Sequence, residues 1–203
     1  RPAIKGVDRE KIQIECKIPH GKYEDPLKEI ERFRKEVGTD YFDSLLIHCV
    51  RSHDWPEQEK PLMDLLNTAK EKKIIRAMGV SIHGLLSLRA ATATNWGDVR
   101  LVRINHNGHS MDNLKDKGSE PGDVKAVVKC IRKMGADGKG IIGMKLIGNG
   151  DFKDAETRRA SINFVMGLDA VDAVVIGFKS PQEVDEAITM MNNALARRIL
   201  RAT

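Results

Sequence analysis

Apolar and polar positions follow two rhythms along this chain, and the rhythms take turns. Residues 11–17, KIQIECK, alternate with period two: Ile12, Ile14 and Cys16 on one side, Gln13, Glu15 and Lys17 on the other. Residues 25–37, DPLKEIERFRKEV, change to the helical period, with Asp25 as cap and Pro26 in the first position. FDSLLIH (42–48) reads as the next strand, and Asp54 with Glu57 forms a capping-box pattern ahead of a helix predicted to about Lys73. IIRAMGVS (74–81) is a third strand, a helix follows over about 85–94, and VRLVRIN (99–105) is a fourth strand. A longer polar loop leads to DVKAVVKCIRKMGADG (123–138), an amphipathic helix expected to stop at Gly135 and Gly138. GIIGMKLIG (140–148), a helix across 154–168, VDAVVIG (171–177) and a last helix from Pro181 towards Leu200 complete the run.

Strands alternating with helices of this length predict βαβ units and a parallel sheet. Six strand–helix pairs are visible, and no shift in composition marks a linker, so residues 1–203 read as a single domain. The strand faces choose between an open sheet and a barrel. An open sheet buries both faces under helices and wants both apolar. Here Gln13, Glu15 and Lys17 lie opposite the isoleucines, and Arg103 and Asn105 lie opposite Val102 and Ile104. A polar inner face whose C-terminal ends collect charged groups suits a barrel, with the active site at that end. His48, last in its strand and on the face of Leu46 and Ser44, is expected to look into the barrel mouth, as is Lys17.

Charge and composition narrow the partners. The net charge of +5 comes from 34 basic and 29 acidic residues mixed along the chain, and aromatics are only 4%, so no basic groove with stacking platforms for nucleic acid is visible. No run of about 18 apolar residues predicts a membrane span. Cys16, Cys49 and Cys130 are odd in number and sit inside predicted elements, which argues against a disulfide framework and for a reducing, cytoplasmic setting. The chain opens on Arg1 rather than Met, so its natural start is expected elsewhere.

Two literal signals carry little. GKGIIG, Gly138 to Gly143, fits the G-x-G-x-x-G dinucleotide pattern, but that pattern needs a strand before it and a helix after it, and here the order is reversed. His20, His48, His83, His106 and His109 follow or end strands, yet there is no H-x-H strand motif, and no metal site is expected.

The order of strand endings is more specific. REKIQIECK, EVGTDYFDSLLIH, IIRAMGVS, GIIGMKLIG and VDAVVIGFKSPQEV resemble successive segments of an aldo-keto reductase, from Arg9 to about Ile188, with GTDYFDSLLIH the most specific piece. The resemblance implies an α/β fold of the TIM (β/α)8 barrel type that reduces an aldehyde or ketone to an alcohol with NADP, without a metal. It begins at the family's third strand–helix unit, so the first two strands, with the proton-donor tyrosine and the aspartate, are expected to be missing from this chain. Neither Tyr23 nor Tyr41 matches that tyrosine.

Lys17 and His48 match the family's catalytic lysine and histidine. The first would lower the pKa of the proton donor and the second would orient the substrate carbonyl. For the cofactor, Ser81 matches the serine at the nicotinamide carboxamide, Arg103 replaces the usual glutamine, and Met144 takes the place of a ring that stacks on the nicotinamide. Lys145 and Gly148 to Asn149 match the loop passing the pyrophosphate. In GFKSPQEVDEAI, Lys179 and Ser180 match the 2′-phosphate site, while Glu183 stands where an arginine is expected. Ser180 and Glu183 also form a capping-box pattern that needs no ligand; beside the ribose the Glu183 carboxylate would repel a phosphate but accept from free hydroxyls, so NAD is expected to be tolerated beside NADP. A catalytically impaired barrel kept for binding or regulation is the alternative reading, and a metal-dependent barrel hydrolase a third. The carbonyl substrate and the oligomeric state are left open.

Overall fold

Backbone geometry turns the predicted alternation into a six-stranded parallel sheet. The structure, a computed structural model, describes residues 4–20, 25–112 and 121–202. Strands β1 (Glu15–Ile18), β2 (Phe42–Val50), β3 (Ile75–Ile82), β4 (Val99–Arg103), β5 (Gly140–Met144) and β6 (Ala173–Val175) pair in sequence order, every neighbour parallel. Helix α1 (Pro26–Val37) links β1 to β2; α2 (Trp55–Gln58) and α3 (Lys60–Glu71) link β2 to β3; α4 (Leu85–Ala93), α5 (Val124–Ala136) and α6 (Ala155–Met166) fill the next crossovers; α7 (Pro181–Ala202) follows β6. Among the described residues β1 and β6 are the two edges, and the sheet is a curled half-barrel.

The two faces of the sheet are chemically distinct. On the convex side Ile18, Leu45, Ile47, Val80, Val102 and Ile141 pack against Ile30, Leu66, Leu88, Ile131 and Val165 of the helices, all of them buried. Trp55 and Trp96 meet edge to face on this side, ring centroids 6.3 Å apart, and their indole N–H groups donate to Ser87 O and Asn67 Oδ1 at 3.2 Å each. On the concave side a smaller cluster joins Leu46, Leu101 and Met144. Leu46 of β2 and Leu101 of β4 reach this cluster past β3, whose residue at that level is Gly79, paired with Leu46 on one side and Val99 on the other. A Cβ at Gly79 would collide with the Val99 backbone, so the missing side chain lets β3 and β4 approach closely. At the N-terminal ends of the strands, Asp43 accepts from Ile14 N at 2.8 Å, Arg9 Nη2 at 2.6 Å and Arg76 Nη1 at 3.1 Å, and both guanidiniums cover the ring of Tyr41.

Several boundaries differ from the expected ones for physical reasons. β1 starts at Glu15, because Arg9–Lys11 form a 3-10 turn capped by Asp8. Asp54 adopts φ −97°, ψ 13° rather than an extended cap conformation and makes no cap bond, so its expected capping box does not form. The helix expected to run to about Lys73 is instead two helices, α2 and α3. β4 ends at Arg103 and β5 at Met144, the latter because Lys145 turns to φ 64°. α5 runs through Gly135 and ends at Ala136, and GKGIIG leads from that helix into β5. Asp25 and Asp123 cap α1 and α5 through Lys28 N and Ala126 N.

Candidate functional site

Period-two alternation carries one face of the strands to the C-terminal edge of the concave side, and the candidate residues collect there. Lys17 lies level with Leu46, and His48 follows two residues later. Ser81 stands two residues past Gly79, Arg103 two past Leu101, and Met144 ends β5 beside Arg103. Lys17 Nζ lies 3.4 Å from Glu15 Oε1, two residues back on the same face. Burial pushes the Glu15 carboxyl above its ordinary value, and Lys17 offsets only part of that. His48 is pushed down, first by burial and then by the charges of Lys17, His20 and Arg51, which places it electrostatically in one group with Lys17.

The last residues of β2 are bulged. Cys49 takes φ 63°, and the pairing with β3 shifts between Ile47 and Val50. The Cys49 carbonyl thereby accepts from His20 Nε2 at 3.1 Å, while His20 Nδ1 bonds Glu59 at 2.5 Å.

His83 is the centre of the site, and no candidate role attached to it beforehand. Its Nδ1 lies 2.6 Å from Arg103 Nη2 and 3.2 Å from Cys49 Sγ, and its Nε2 lies 3.3 Å from Ser81 Oγ. A guanidinium can only donate, so Nδ1 must accept and the ring proton must sit on Nε2, which donates to Ser81. Burial, then Arg103, His48, Lys145 and Arg51, push His83 down to about 3, so the ring is neutral near pH 7. Arg103 also donates to Ser110 O at 3.2 Å and feels the favourable charge of Asp112. Ser81, Arg103 and Met144 are 1%, 6% and 7% exposed; the first two bond the His83 ring, Arg103 also reaches Ser110 O, and Met144 packs with Leu46 and Leu101. One sequence signal pointed to His83: it stands two residues after Ser81, the spacing that puts strand neighbours on one face.

A second group lies beyond β5. Lys145 Nζ donates to Asn149 Oδ1 at 2.5 Å, and burial, Arg103 and Lys17 depress its pKa. Gly148 is held at φ 58°, where a Cβ would meet the Phe152 ring at 2.7 Å. Lys179, Ser180 and Glu183 sit apart from the strand-end group, at the start of α7. Ser180 Oγ accepts from Glu183 N at 3.3 Å, and Glu183 Oε2 accepts from Lys179 N at 2.7 Å, one residue earlier than in a standard capping box. A cavity of about 330 Å³ opens beside them, lined by Gly150, Phe152, Lys153, Phe178, Lys179 and Glu183 among others. Arg158 also borders it but is held bidentately by Glu186 at 2.8 and 2.9 Å.

His106 and His109 flank the Phe152 ring, and His109 Nε2 bonds Asp151 Oδ2 at 2.8 Å. Among the described residues no three His, Cys, Asp or Glu side chains gather to hold a metal ion. Tyr41 lies at the opposite end of the sheet, between Arg9 and Arg76, and Tyr23 lies outside the described residues.

A nicotinamide nucleotide fits this donor set. Ser81 and Arg103 pair with a bridging group that has one acceptor and one donor, as a carboxamide has; Lys153 and Lys179 border a cavity of sugar and phosphate size.

Known proteins share this fold. The sequence profile of the aldo/keto reductase family matches residues 2–164. Comparison with curated proteins gives no match. Among solved structures, the chain is similar to a protein from Pseudomonas aeruginosa assigned to the aldo-keto reductases (TM-score 0.71, 22% identity, covering 96% of this chain and 72% of that one). It is also similar to the holo form of an aldo-keto reductase from Bacillus halodurans (0.66, 15%, 94% and 69%). A third is an aldo/keto reductase from Klebsiella pneumoniae solved with NADP and acetate (0.64, 16%, 97% and 72%). At these identities the likeness is one of fold.

Proposed function

Because the chain belongs to the aldo/keto reductase family, we propose that it binds a reduced nicotinamide nucleotide, NADPH with NADH tolerated, and reduces a small aldehyde or ketone to the alcohol. The observation that carries this reading is the convergence of Lys17, His48, Ser81, Arg103 and Met144 on one end of the concave face. The Klebsiella pneumoniae neighbour, solved with NADP, supports the choice of cofactor. The nucleotide would supply the hydride, and the residues would bind and orient the carbonyl, with the Lys17 ammonium giving the proton that turns the resulting alkoxide into the alcohol and water reloading it. His48, held neutral by burial and by neighbouring cations, is suited to donate an N–H to a carbonyl oxygen without adding charge to the site. Lys17, steadied by Glu15, places a positive charge where negative charge develops on that oxygen. Arg103 and Ser81 would hold the carboxamide, Met144 would take the place beside the nicotinamide, Lys145 with Gly148 and Asn149 would serve the pyrophosphate, and Lys179 with Ser180 the adenosine end. The unpaired thiols of Cys16, Cys49 and Cys130 support a reducing, cytoplasmic setting.

One observation favours a second reading, a barrel that binds the nucleotide without turnover: among the described residues the tyrosine Tyr41 lies at the wrong end of the strands. Nucleotide binding by calorimetry, combined with consumption of NADPH over a panel of aldehydes and ketones, separates the two. Turnover that falls at least about a hundredfold in Lys17→Met and His48→Ala supports the enzyme. Binding without turnover supports the second reading, and no binding of either nucleotide overturns both.

A further inference from the structure

Ser81 and Arg103, the two groups assigned to the carboxamide, already make hydrogen bonds, and both make them to one ring. The His83 imidazole accepts from Arg103 Nη2 at 2.6 Å and donates to Ser81 Oγ, 3.3 Å from Nε2. A primary carboxamide has the same two functions in a planar group, a carbonyl that accepts and an NH2 that donates. Ser81 is 1% exposed, so a ligand reaches its hydroxyl only when the ring has left.

We propose that His83 is a built-in carboxamide mimic that occupies the nicotinamide end of the nucleotide site, so that this residue sets how tightly, and at which pH, the nicotinamide is admitted. The inference rests on the nucleotide reading above. The main-chain N–H of His83 is tied to Val50 O at 2.9 Å, so the backbone stays and the ring moves by side-chain rotation. The groups facing it are Arg103 from β4, His48, Cys49 and Arg51 from the end of β2, and Lys145 after β5, with Asp112 acting on Arg103. All the fully charged groups that face the ring directly are cations, so they oppose its protonation while it is in place. Once swung into water it regains its ordinary pKa of about 6.5. Admission of the nicotinamide therefore takes up a proton below that pH, and acid favours it.

The test compares two ligands on the full chain, NADP+ and 2′-phospho-ADP-ribose, which lacks the nicotinamide, by calorimetry near pH 5.5 and pH 8. The 2′-phosphate titrates in both, so the ratio of their affinities isolates the nicotinamide end. In the native chain this ratio is expected to shift towards NADP+ by about tenfold between pH 8 and pH 5.5, the factor by which an ordinary histidine favours protonation there. In His83→Ala the ratio should already favour NADP+ several-fold at pH 8 and lose most of its pH dependence. A flat native profile, or a His83→Ala ratio that is unchanged or moved against NADP+, overturns the proposal; the native profile decides even if the variant does not fold. If neither ligand binds, the nucleotide reading fails and this inference with it.

Discussion

Placing one methyl group at Gly79 is expected to be among the most damaging small changes in the chain. A Cβ built there lies 2.0 Å from the Val99 carbonyl oxygen and 2.8 Å from its carbon. Reaching even a 3.0 Å approach requires the facing backbone to retreat by about 1 Å. That retreat is blocked by local bonds: Asp98 N donates to Met78 O at 2.7 Å, and Met78 N donates to Asp98 Oδ2 at 3.0 Å. Overpacking costs about 1–3 kcal/mol, and a β3–β4 shift weakens one or two ladder bonds worth about 1 kcal/mol each, so Gly79→Ala should cost about 3 kcal/mol. Gly140→Ala is the control, since its nearest atoms lie at 3.8 and 3.9 Å, and should change stability by no more than about 0.5 kcal/mol. Urea unfolding followed by circular dichroism should put the Gly79→Ala midpoint about 1–1.5 M below the control. Midpoints within about 0.3 M of each other would refute the argument that this glycine is there for the close approach of two strands.

Three further outcomes follow from the same geometry. Glu183→Gln should raise the affinity ratio of NADPH to NADH at low salt by about three- to tenfold through removal of a carboxylate beside the phosphate position, and Lys179→Ala should lower it; a strong NADPH preference that survives Lys179→Ala counts against both roles. His48 should titrate below the ordinary histidine value, and Lys17→Met should move it up; an NMR titration in which the ring keeps its value would remove the electrostatic link between them. Asp43→Asn should destabilise the chain at neutral pH by about 1–2 kcal/mol. Burial alone would raise the Asp43 carboxyl, but the Ile14 N–H, Arg9 and Arg76 outweigh it and the net shift is downward. Its contribution is therefore present above the unfolded value near 3.9 and lost as pH falls through the lower folded one, so the two proteins should converge in acid; a gap that persists below about pH 2 counts against it.

The alternation of apolar rhythms was enough to place all six strands, because their convex faces must bury Leu45, Val80, Val102 and Ile141 whatever the loops do. The polar inner face was legible for the same reason, and Lys17, His48, Ser81, Arg103 and Met144 share it. Strand ends were harder. Cys49 and Lys145 take φ 63° and 64°, conformations that neither residue type announces, and each redirects the chain at the site. His83 was passed over because five histidines after strands looked scattered; only the three-dimensional register puts its ring between Ser81 and Arg103. Arg100 received no role in the sequence, though the alternation sets it on the face of Val102 and Ile104; it is fully buried, bonded to Trp96 O at 2.5 Å and driven by burial to a pKa of about 10.

The edge-to-face tryptophan pair gives the protein an optical label in an informative position. These are the two tryptophans of the chain; Trp55 lies in α2 and Trp96 between α4 and β4, and both pack on the core behind the sheet, away from its concave face. Their shared emission therefore reports the seating of α2, α3 and α4 and not, by contact, the arrival of a ligand. A ligand that alters this emission without absorbing it must have shifted the helical layer, which makes the pair a ready gauge of whether the half-barrel answers binding as a rigid shell or by moving its back.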